Sequence, residues 1–328
     1  TNAGFADLFV VFAKIENDKN LSAFIVEKSF GGITLGEEEK KLGIKGSSTR
    51  QVFFNDCPVP LENLLGEREG GFKIALNILN SGRIKLAAGS IGGAKISLNK
   101  AITYGIERKQ FGKSIAEFAA MKHKMGEMAR KIFAAESAIY RTGKNIDSKE
   151  SELKNEGTSE NEVKLEALRE FAIECAMMKV YSTEVLDYCV DESLQIHGGM
   201  GYSVETGVEM GYRDARITRI YEGTNEINRM LAFAELMKRA FKTKELNLKE
   251  AGKKIPITLL KRFLRMQKLT SEKVIENYKH LFLILSKYAF DSFGMELENE
   301  QEIIMNLSDI LTETYVAESV YLRVHKLK

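Results

Sequence analysis

One glutamate of this chain has a setting that suits acid–base chemistry. Glu222 lies between Tyr221 and Gly223, and a glycine allows the backbone to bend sharply beside the carboxylate. A carboxylate held in this way against a substrate can remove a proton as a general base. The plain alternative is an acid at the start of a helix near Thr224, and the residue alone does not decide between the two.

Three further segments contain residue types that bind phosphate groups or substrates. The run RKQFGK opens with Arg108, which could pair with a pyrophosphate, the alternative being a surface ion pair. The run QIHGGMGY opens with Gln195, and its adjacent glycines can bring backbone N–H groups close to a phosphate or an adenine. The run NSGR ends at Arg83 inside a predicted helix.

Other patterns in the chain resemble known motifs but do not satisfy them. The run FGKS ends like a phosphate-binding P-loop, but position 107, where that motif needs a glycine, is Glu107. The run AGSIG resembles the turn that carries the nucleophilic serine of hydrolases. It lies in a helical pattern, however, where small residues indicate close packing between helices. The histidines have no metal-ligand spacing, and the cysteines form no C-x-x-C pair. No G-x-G-x-x-G follows a strand, so neither a metal site nor a Rossmann fold is predicted.

Composition narrows the class of protein. A length of 328 residues predicts about two domains. The chain has 48 Lys and Arg against 46 Asp and Glu, a balance that excludes a nucleic-acid binder held by a basic surface. The three cysteines show no pairing pattern, which is typical of a protein in a reducing compartment, and no apolar run is long enough to span a bilayer. We therefore expect a cytoplasmic protein. Because the chain begins at Thr1 rather than at a methionine, we expect a piece of a longer protein.

The first part of the chain predicts antiparallel strands. Runs rich in β-branched and aromatic residues cover residues 7–15, 22–27 and 50–54, with turn signals between them. These strands are too few to complete a sheet, so we expect a partial β domain. Residues 58–70 are predicted to be a connecting loop.

From residue 71 onward the pattern is helical. No proline occurs between Pro60 and Pro256, and apolar residues recur with helical spacing. The polar residues 147–162 are predicted to form an exposed connection. A helix over residues 166–195 should end at the paired glycines that follow it. A domain boundary is predicted near residue 250, and two long amphipathic helices are predicted over 272–293 and 300–324.

Taken together, the chemically informative segments resemble the acyl-CoA dehydrogenase family, flavin enzymes that convert acyl-CoA to trans-2-enoyl-CoA. The elements Q-x-x-G-G-x-G-Y, R-x-x-F-G and R-I-Y-E-G-T-N-E-I occur in this sequence at approximately the family's spacing. The resemblance covers about residues 1–242. Residues 249–328 resemble part of the additional helical region of the very-long-chain branch.

The resemblance implies a mainly α fold with three parts. These are a partial antiparallel β domain over residues 1–66, a C-terminal four-helix-bundle domain over 67–245 and an incomplete additional helical region over 246–328. The family's N-terminal helical domain and the first half of its β domain would lie outside this chain. Since those parts bind much of the flavin in the family, the resemblance leaves open whether this chain is active by itself.

The resemblance also implies roles for individual residues. Glu222 matches the catalytic base that removes the α-proton while hydride passes to flavin N5, and its backbone N–H matches a donor to the thioester carbonyl. The implied substrate-binding residues are Asn80, Arg83, Tyr221 and Gly223. The implied FAD-binding residues are Thr1, Arg108, Gln110, Phe111, Gln195, Gly198, Gly199, Thr224, Asn225 and Glu226. Phe233 replaces an arginine that binds CoA in some members, so no CoA contact is assigned there.

Partners follow from the same resemblance. It implies an acyl-CoA substrate, an electron-transfer flavoprotein as acceptor and a homodimer in which Arg108 and Gln195 contact FAD of the other subunit. An acyl-CoA oxidase and a helical scaffold without catalysis stay open as alternatives. A basic run over 261–268 ahead of an apolar run over 281–285 predicts peripheral contact of residues 256–328 with an anionic membrane, the alternative being packing on the bundle.

Overall fold

The computed structural model describes residues 1–243 and 270–327, which form two compact units. The first unit comprises Thr1–Ser81 and the second Gly82–Lys328. Strands are confined to small antiparallel sheets and helices make up most of the described residues. The mainly α fold class predicted from the sequence is therefore confirmed.

The first unit contains five short strands. They are β1 (Leu8–Ala13), β2 (Ser22–Glu27), β3 (Ile33–Leu35), β4 (Val52–Phe54) and β5 (Leu64–Leu65). Strand β2 is central: it pairs with all of β1, Leu8 opposite Glu27, and with β5 on its other edge. Strands β3 and β4 form a separate pair. The predicted loop over residues 58–70 is wrong where β5 lies, because a two-residue strand leaves no alternating pattern to detect.

The described residues of the second unit contain one hairpin and are otherwise mainly helical, and helix α1 begins in the first unit. Its elements are α1 (Gly71–Glu107), β6 (Lys109–Gln110), β7 (Lys113–Ser114), α2 (Ala119–Asn155), α3 (Glu160–Glu170), α4 (Ala172–His197), α5 (Gly199–Tyr202), α6 (Val208–Ala215), α7 (Asn225–Thr243), α8 (Ser271–Phe293) and α9 (Gln301–Leu327). The main core takes apolar residues from α1, α2, α4 and α7, for example Ile91, Met128, Met178 and Ala232. These four helices form the predicted bundle.

Two helix boundaries differ from the sequence-based expectation. The exposed connection predicted over residues 147–162 is wrong, because α2 continues to Asn155 and α3 begins at Glu160. The composition of that segment is polar, but Glu and Lys are good helix formers, and Lys149 pairs with Glu152 on the exposed face. The helix predicted over 166–195 is two helices, which separate at Phe171.

Helices α8 and α9 confirm the two amphipathic helices predicted near the end of the chain. They form a second core with α7, in which the Phe233 and Phe282 rings meet edge to face at 6.2 Å. Ion pairs join α9 to the bundle, among them Arg229 with Asp309 at 2.6 Å. The apolar run over 281–285 is thus partly packed through Phe282, and the basic run over 261–268 lies outside the described residues.

Within residues 1–243 and 270–327, no helix is long and apolar enough to cross a membrane. The same ranges contain no group of three His, Cys, Asp or Glu side chains that could hold a metal ion.

Candidate active site

The predicted base lies in a backbone turn that directly precedes α7. Glu222 has a φ of 59° and Gly223 a φ of 82°, so two consecutive residues adopt the left-handed conformation. Glycine tolerates this region freely, whereas a residue with a side chain adopts it rarely and at some cost in free energy. The surrounding structure must therefore hold Glu222 in place.

Three buried donors hold the carbonyl groups of this turn. Arg83 Nε of α1 donates to the carbonyl of Glu222 at 3.2 Å. Asn228 Nδ2 of α7 donates to the carbonyl of Gly223 at 2.8 Å and to that of Thr224 at 3.0 Å. Lys179 Nζ of α4 donates to the same Gly223 carbonyl at 2.8 Å. The turn is thus fixed from three helices at once.

The carboxylate of Glu222 is left free to react. Its Oε2 atom is buried and has no hydrogen-bond partner among the described residues. It lies against the backbone of Gly82, where a Cβ atom would be only 2.5 Å from Oε2. The backbone N–H of Glu222 also donates no hydrogen bond within the described part of the chain. One residue thus presents an unpaired acceptor and an unpaired donor, the two groups that proton abstraction beside a carbonyl needs.

Two buried cations surround this turn. Arg83 is 3 % exposed and Lys179 is fully buried. Burial lowers the pKa of the Arg83 guanidinium, an effect that the nearby Glu222 carboxylate opposes. Burial, and then the charge of Arg83, lower the pKa of Lys179 to about 8. Two positively charged side chains therefore lie beside the turn that contains Glu222.

The three residues after Gly223 have different environments. The Asn225 side chain is buried: Oδ1 accepts from Lys179 Nζ at 2.8 Å, and Nδ2 donates to Glu184 Oε1 at 3.1 Å. Thr224 Oγ1 accepts from the Ile227 N–H at 3.3 Å, as a helix cap does. Glu226 is exposed. All three residues line a cavity of about 120 Å³ together with Arg216 and Arg219. Thr224 and Glu226 can therefore contact a flavin there, whereas the side-chain amide of Asn225 already bonds to Lys179 and Glu184.

The second predicted group begins where α1 ends. Arg108 is followed by a hairpin in which β6 and β7 are joined by Phe111 and Gly112, with φ of 52° and 80°. A two-residue turn with both φ positive suits the twist of a hairpin. The Phe111 ring is 93 % exposed, and Arg108 and Gln110 are exposed too. The FGKS run is thus a hairpin, not the strand-to-helix loop of a P-loop.

The paired glycines lie near this hairpin. Helix α4 ends at His197, and Gly198 has a φ of 58°. The His197 ring stacks on Tyr104 of α1 with 4.3 Å between ring centres, which brings the glycines to the end of the bundle that carries Arg108. A Cβ atom on Gly198 or Gly199 would meet nothing within 4 Å. Together with exposed Gln195, this open backbone suits a flat ring and a pyrophosphate.

The predicted residues therefore form two groups in the second unit. Glu222, Tyr221 and Gly223 are brought together with Arg83, which lies in the first half of α1, and the Arg108 hairpin follows the last residue of that helix. At about 1.5 Å per residue, α1 separates Arg83 from Arg108 by roughly 37 Å. Thr1 and Asn80 belong to the first unit, where Thr1 is exposed and Asn80 is buried in α1. Their flavin and substrate contacts stay predictions.

Three residues of the site were missed by reasoning from the sequence. Gly82 lies inside the run NSGR and Asn228 directly follows the element R-I-Y-E-G-T-N-E-I, but nothing in these segments shows what the two residues contact. Lys179 lies in the run AMMKVY. A single lysine among apolar helix residues indicates a buried charge that needs hydrogen-bond partners. This pattern could have identified Lys179 from the sequence.

The sequence and the fold are similar to those of known enzymes. A family model described as "Acyl-CoA dehydrogenase, C-terminal domain" matches residues 69–237, and a second model of the same description matches 277–328. A probable acyl-CoA dehydrogenase of Bacillus subtilis is 43 % identical over 332 residues, covering 99 % of this chain and 55 % of that protein. The very long-chain specific acyl-CoA dehydrogenase of Bos taurus is 40 % identical over 255 residues, covering 75 % and 36 %.

Among solved structures, an acyl-CoA dehydrogenase complexed with FAD from Bacillus anthracis superposes with a TM-score of 0.90 at 42 % identity, covering 99 % of this chain and 56 % of that one. The chain thus spans about half the length of its Bacillus relatives. The match to the family model extends over more than half of the chain and includes Arg83, the hairpin, the paired glycines and Glu222. The chain belongs to the acyl-CoA dehydrogenase family.

Proposed function

We propose that this protein catalyses the FAD-dependent α,β-dehydrogenation of an acyl-CoA to a trans-2-enoyl-CoA, with Glu222 as the base. The observation that carries the proposal is the buried, unpartnered Oε2 of Glu222 in a turn held by Arg83, Lys179 and Asn228. A carboxylate that served only as a helix-start acid would bond to backbone N–H groups or face solvent.

The residues of the turn divide the chemistry between them. An α C–H bond is a weak acid, so a carboxylate can remove the proton only if negative charge on the thioester carbonyl is stabilised as it develops. Glu222 accepts the proton at its carboxylate, and its free backbone N–H donates to the carbonyl oxygen. One such donor commonly contributes roughly 3 kcal/mol to the stability of the transition state. FAD, when bound, supplies the acceptor for the β-hydride.

FAD as the cofactor is supported by the second group of residues. Exposed Phe111, the guanidinium of Arg108 and the open backbone at Gly198 suit an aromatic ring and a pyrophosphate. These groups lie roughly 37 Å along α1 from Arg83. That is too far for one dinucleotide to react beside Glu222 and also contact the hairpin of the same subunit, so we propose a homodimer in which the hairpin holds the partner's FAD.

The substrate and the electron acceptor belong to the same proposal. The similarity to relatives named as very long-chain specific acyl-CoA dehydrogenases supports a long or very long acyl chain. A relative named as a subunit of the caffeyl-CoA reductase–Etf complex, 37 % identical over 242 residues, supports an electron-transfer flavoprotein as acceptor. We also propose a cytoplasmic location, with peripheral membrane contact through residues 256–328.

The flavin spectrum of the complete protein tests this function. Under anaerobic conditions, palmitoyl-CoA should bleach the flavin absorption near its visible maximum within one turnover. Slow return of the absorption in air would support a dehydrogenase, whereas rapid return would indicate an oxidase. A flavin that palmitoyl-CoA and shorter acyl-CoA thioesters all fail to bleach would contradict the proposal.

A further inference from the structure

Lys179 is the largest of the described side chains that are fully buried. Its ammonium group donates to the Gly223 carbonyl and to Asn225 Oδ1, at 2.8 Å in each case. One residue of α4 therefore bonds both to the turn that contains Glu222 and to the first residue of α7. No motif of the family resemblance includes Lys179.

The burial of this ammonium group needs an explanation. Removing a charge from water costs free energy, and both atoms that accept hydrogen bonds from Lys179 belong to neutral groups. A methionine of similar length would fill the same space without that cost. What the lysine provides, and a methionine cannot, is a pair of directed donors to the segment that follows Glu222.

We propose that Lys179 is a positioning residue for Glu222, which it serves by holding the Gly223 peptide so that the carboxylate stays against Gly82. This inference rests on the proposed function. Arg83 and Asn228 hold the turn from the side of Glu222 and from within α7. Among the described residues, Lys179 alone joins the Gly223 carbonyl to the Asn225 side chain from a separate helix.

The loss of Lys179 has a defined structural consequence. Because Glu222 occupies a conformation that non-glycine residues avoid, the turn relaxes toward an ordinary conformation when its restraints weaken. Rotation of the Gly223 peptide would swing the Glu222 carboxylate away from Gly82 and turn its N–H at the same time. The flavin contacts of the hairpin, roughly 37 Å along α1 from Arg83, would be unaffected.

The test compares Lys179→Met and Lys179→Gln with the parent in the complete, FAD-loaded protein. Lys124→Met is the matched control, since Lys124 of α2 also bonds to α4, through Glu192, but does not touch the turn. Three quantities are measured: the dissociation constant of palmitoyl-CoA, the rate of flavin reduction in a single turnover and the hydrogen exchange of the amides of residues 221–225. The exchange measurement needs no activity.

For Lys179→Met we expect FAD content within threefold of the parent, reduction at saturating palmitoyl-CoA slowed at least tenfold and faster exchange confined to residues 221–225. Lys179→Gln, which keeps one donor, should lie between Lys179→Met and the parent, and Lys124→Met should match the parent. Reduction within threefold of the parent in Lys179→Met, or faster exchange across the whole bundle with equal loss of binding, would overturn the positioning role. If Glu222→Gln reduces flavin as fast as the parent, the proposed function itself fails; if only the Lys179 variants do so, the inference about Lys179 fails alone.

Discussion

The Glu222 carboxylate occupies the space in which the side chain of residue 82 would begin. A Cβ atom on Gly82 would lie 2.5 Å from Oε2 and 2.7 Å from Cδ of Glu222. Because residue 82 of α1 is a glycine and has no side chain, the Glu222 carboxylate can lie against that helix. A position inside a helix is otherwise unfavourable for glycine by roughly 1 kcal/mol relative to alanine.

Gly82→Ala should separate stability from activity. The alanine raises helix propensity, and the atoms it displaces are the far end of a flexible side chain, so the free energy of unfolding should change by less than about 1 kcal/mol. The displaced carboxylate, however, should slow flavin reduction by at least tenfold. Stopped-flow measurement of flavin reduction and urea unfolding of Gly82→Ala test both expectations. Gly89→Ala is the control, because a Cβ atom at residue 89 would meet nothing within 4 Å. Equal loss in both variants would show that the contact with Glu222 does not matter.

Phe111→Ala should weaken FAD binding without changing the fold. The ring is 93 % exposed, and exposed side chains usually change the free energy of unfolding by less than about 0.5 kcal/mol. If it stacks on the partner subunit's FAD, its removal should lower the flavin content of the purified complete protein and raise the FAD dissociation constant by at least tenfold. Tyr140→Ala, which removes a ring that is 71 % exposed on α2, is the control. Unchanged flavin affinity in Phe111→Ala would argue against a role of the hairpin in holding FAD.

The buried Lys179 predicts a pH-dependent stability difference. Its pKa is about 8 in the folded chain, against 10.5 for an ordinary lysine. Between these values the unfolded chain binds more protons at this group than the folded chain, so its contribution to stability rises with pH and is lost as the pH falls through about 8. The free energy of unfolding of the parent relative to Lys179→Met should therefore increase between pH 8 and about 10.5, by up to about 3 kcal/mol. Denaturant unfolding of both proteins across this range measures it, and a constant difference would contradict the shifted pKa.

Much of the fold can be predicted from the sequence because the signals for its helices and strands are local. Propensity and periodicity over a few residues predict the end of α4 at the paired glycines, the two ends of β2 and the last two helices. The continuation of α2 through residues 147–155 differs from the predicted loop, because a polar composition is typical of loops although Glu and Lys also favour helices.

The site was only partly predictable, because its contacts join distant parts of the chain. Glu222 and Arg108 stand in short recognisable runs. Arg83 donates a hydrogen bond to the carbonyl of Glu222, which is 139 residues away in the sequence. Lys179 donates to the carbonyl of Gly223, which is 44 residues away. No periodicity or spacing relates such residues, so the role of Gly82 and the bonds of Lys179 required the tertiary structure.

The variant Glu222→Gln tests whether Glu222 is the base. Glutamine keeps the size of the side chain and the backbone N–H, so the variant should fold, hold FAD and bind palmitoyl-CoA as the parent does. It cannot accept the α-proton, and the loss of a general base typically costs roughly 10²–10⁴-fold in rate. Glu235→Gln is the control, because Glu235 lies on α7 and pairs with Lys238 at its surface. Stopped-flow measurement of flavin reduction by palmitoyl-CoA should show a loss of at least about 10²-fold for Glu222→Gln and a rate near that of the parent for Glu235→Gln. A Glu222→Gln rate within about tenfold of the parent would contradict the role of Glu222 as the base.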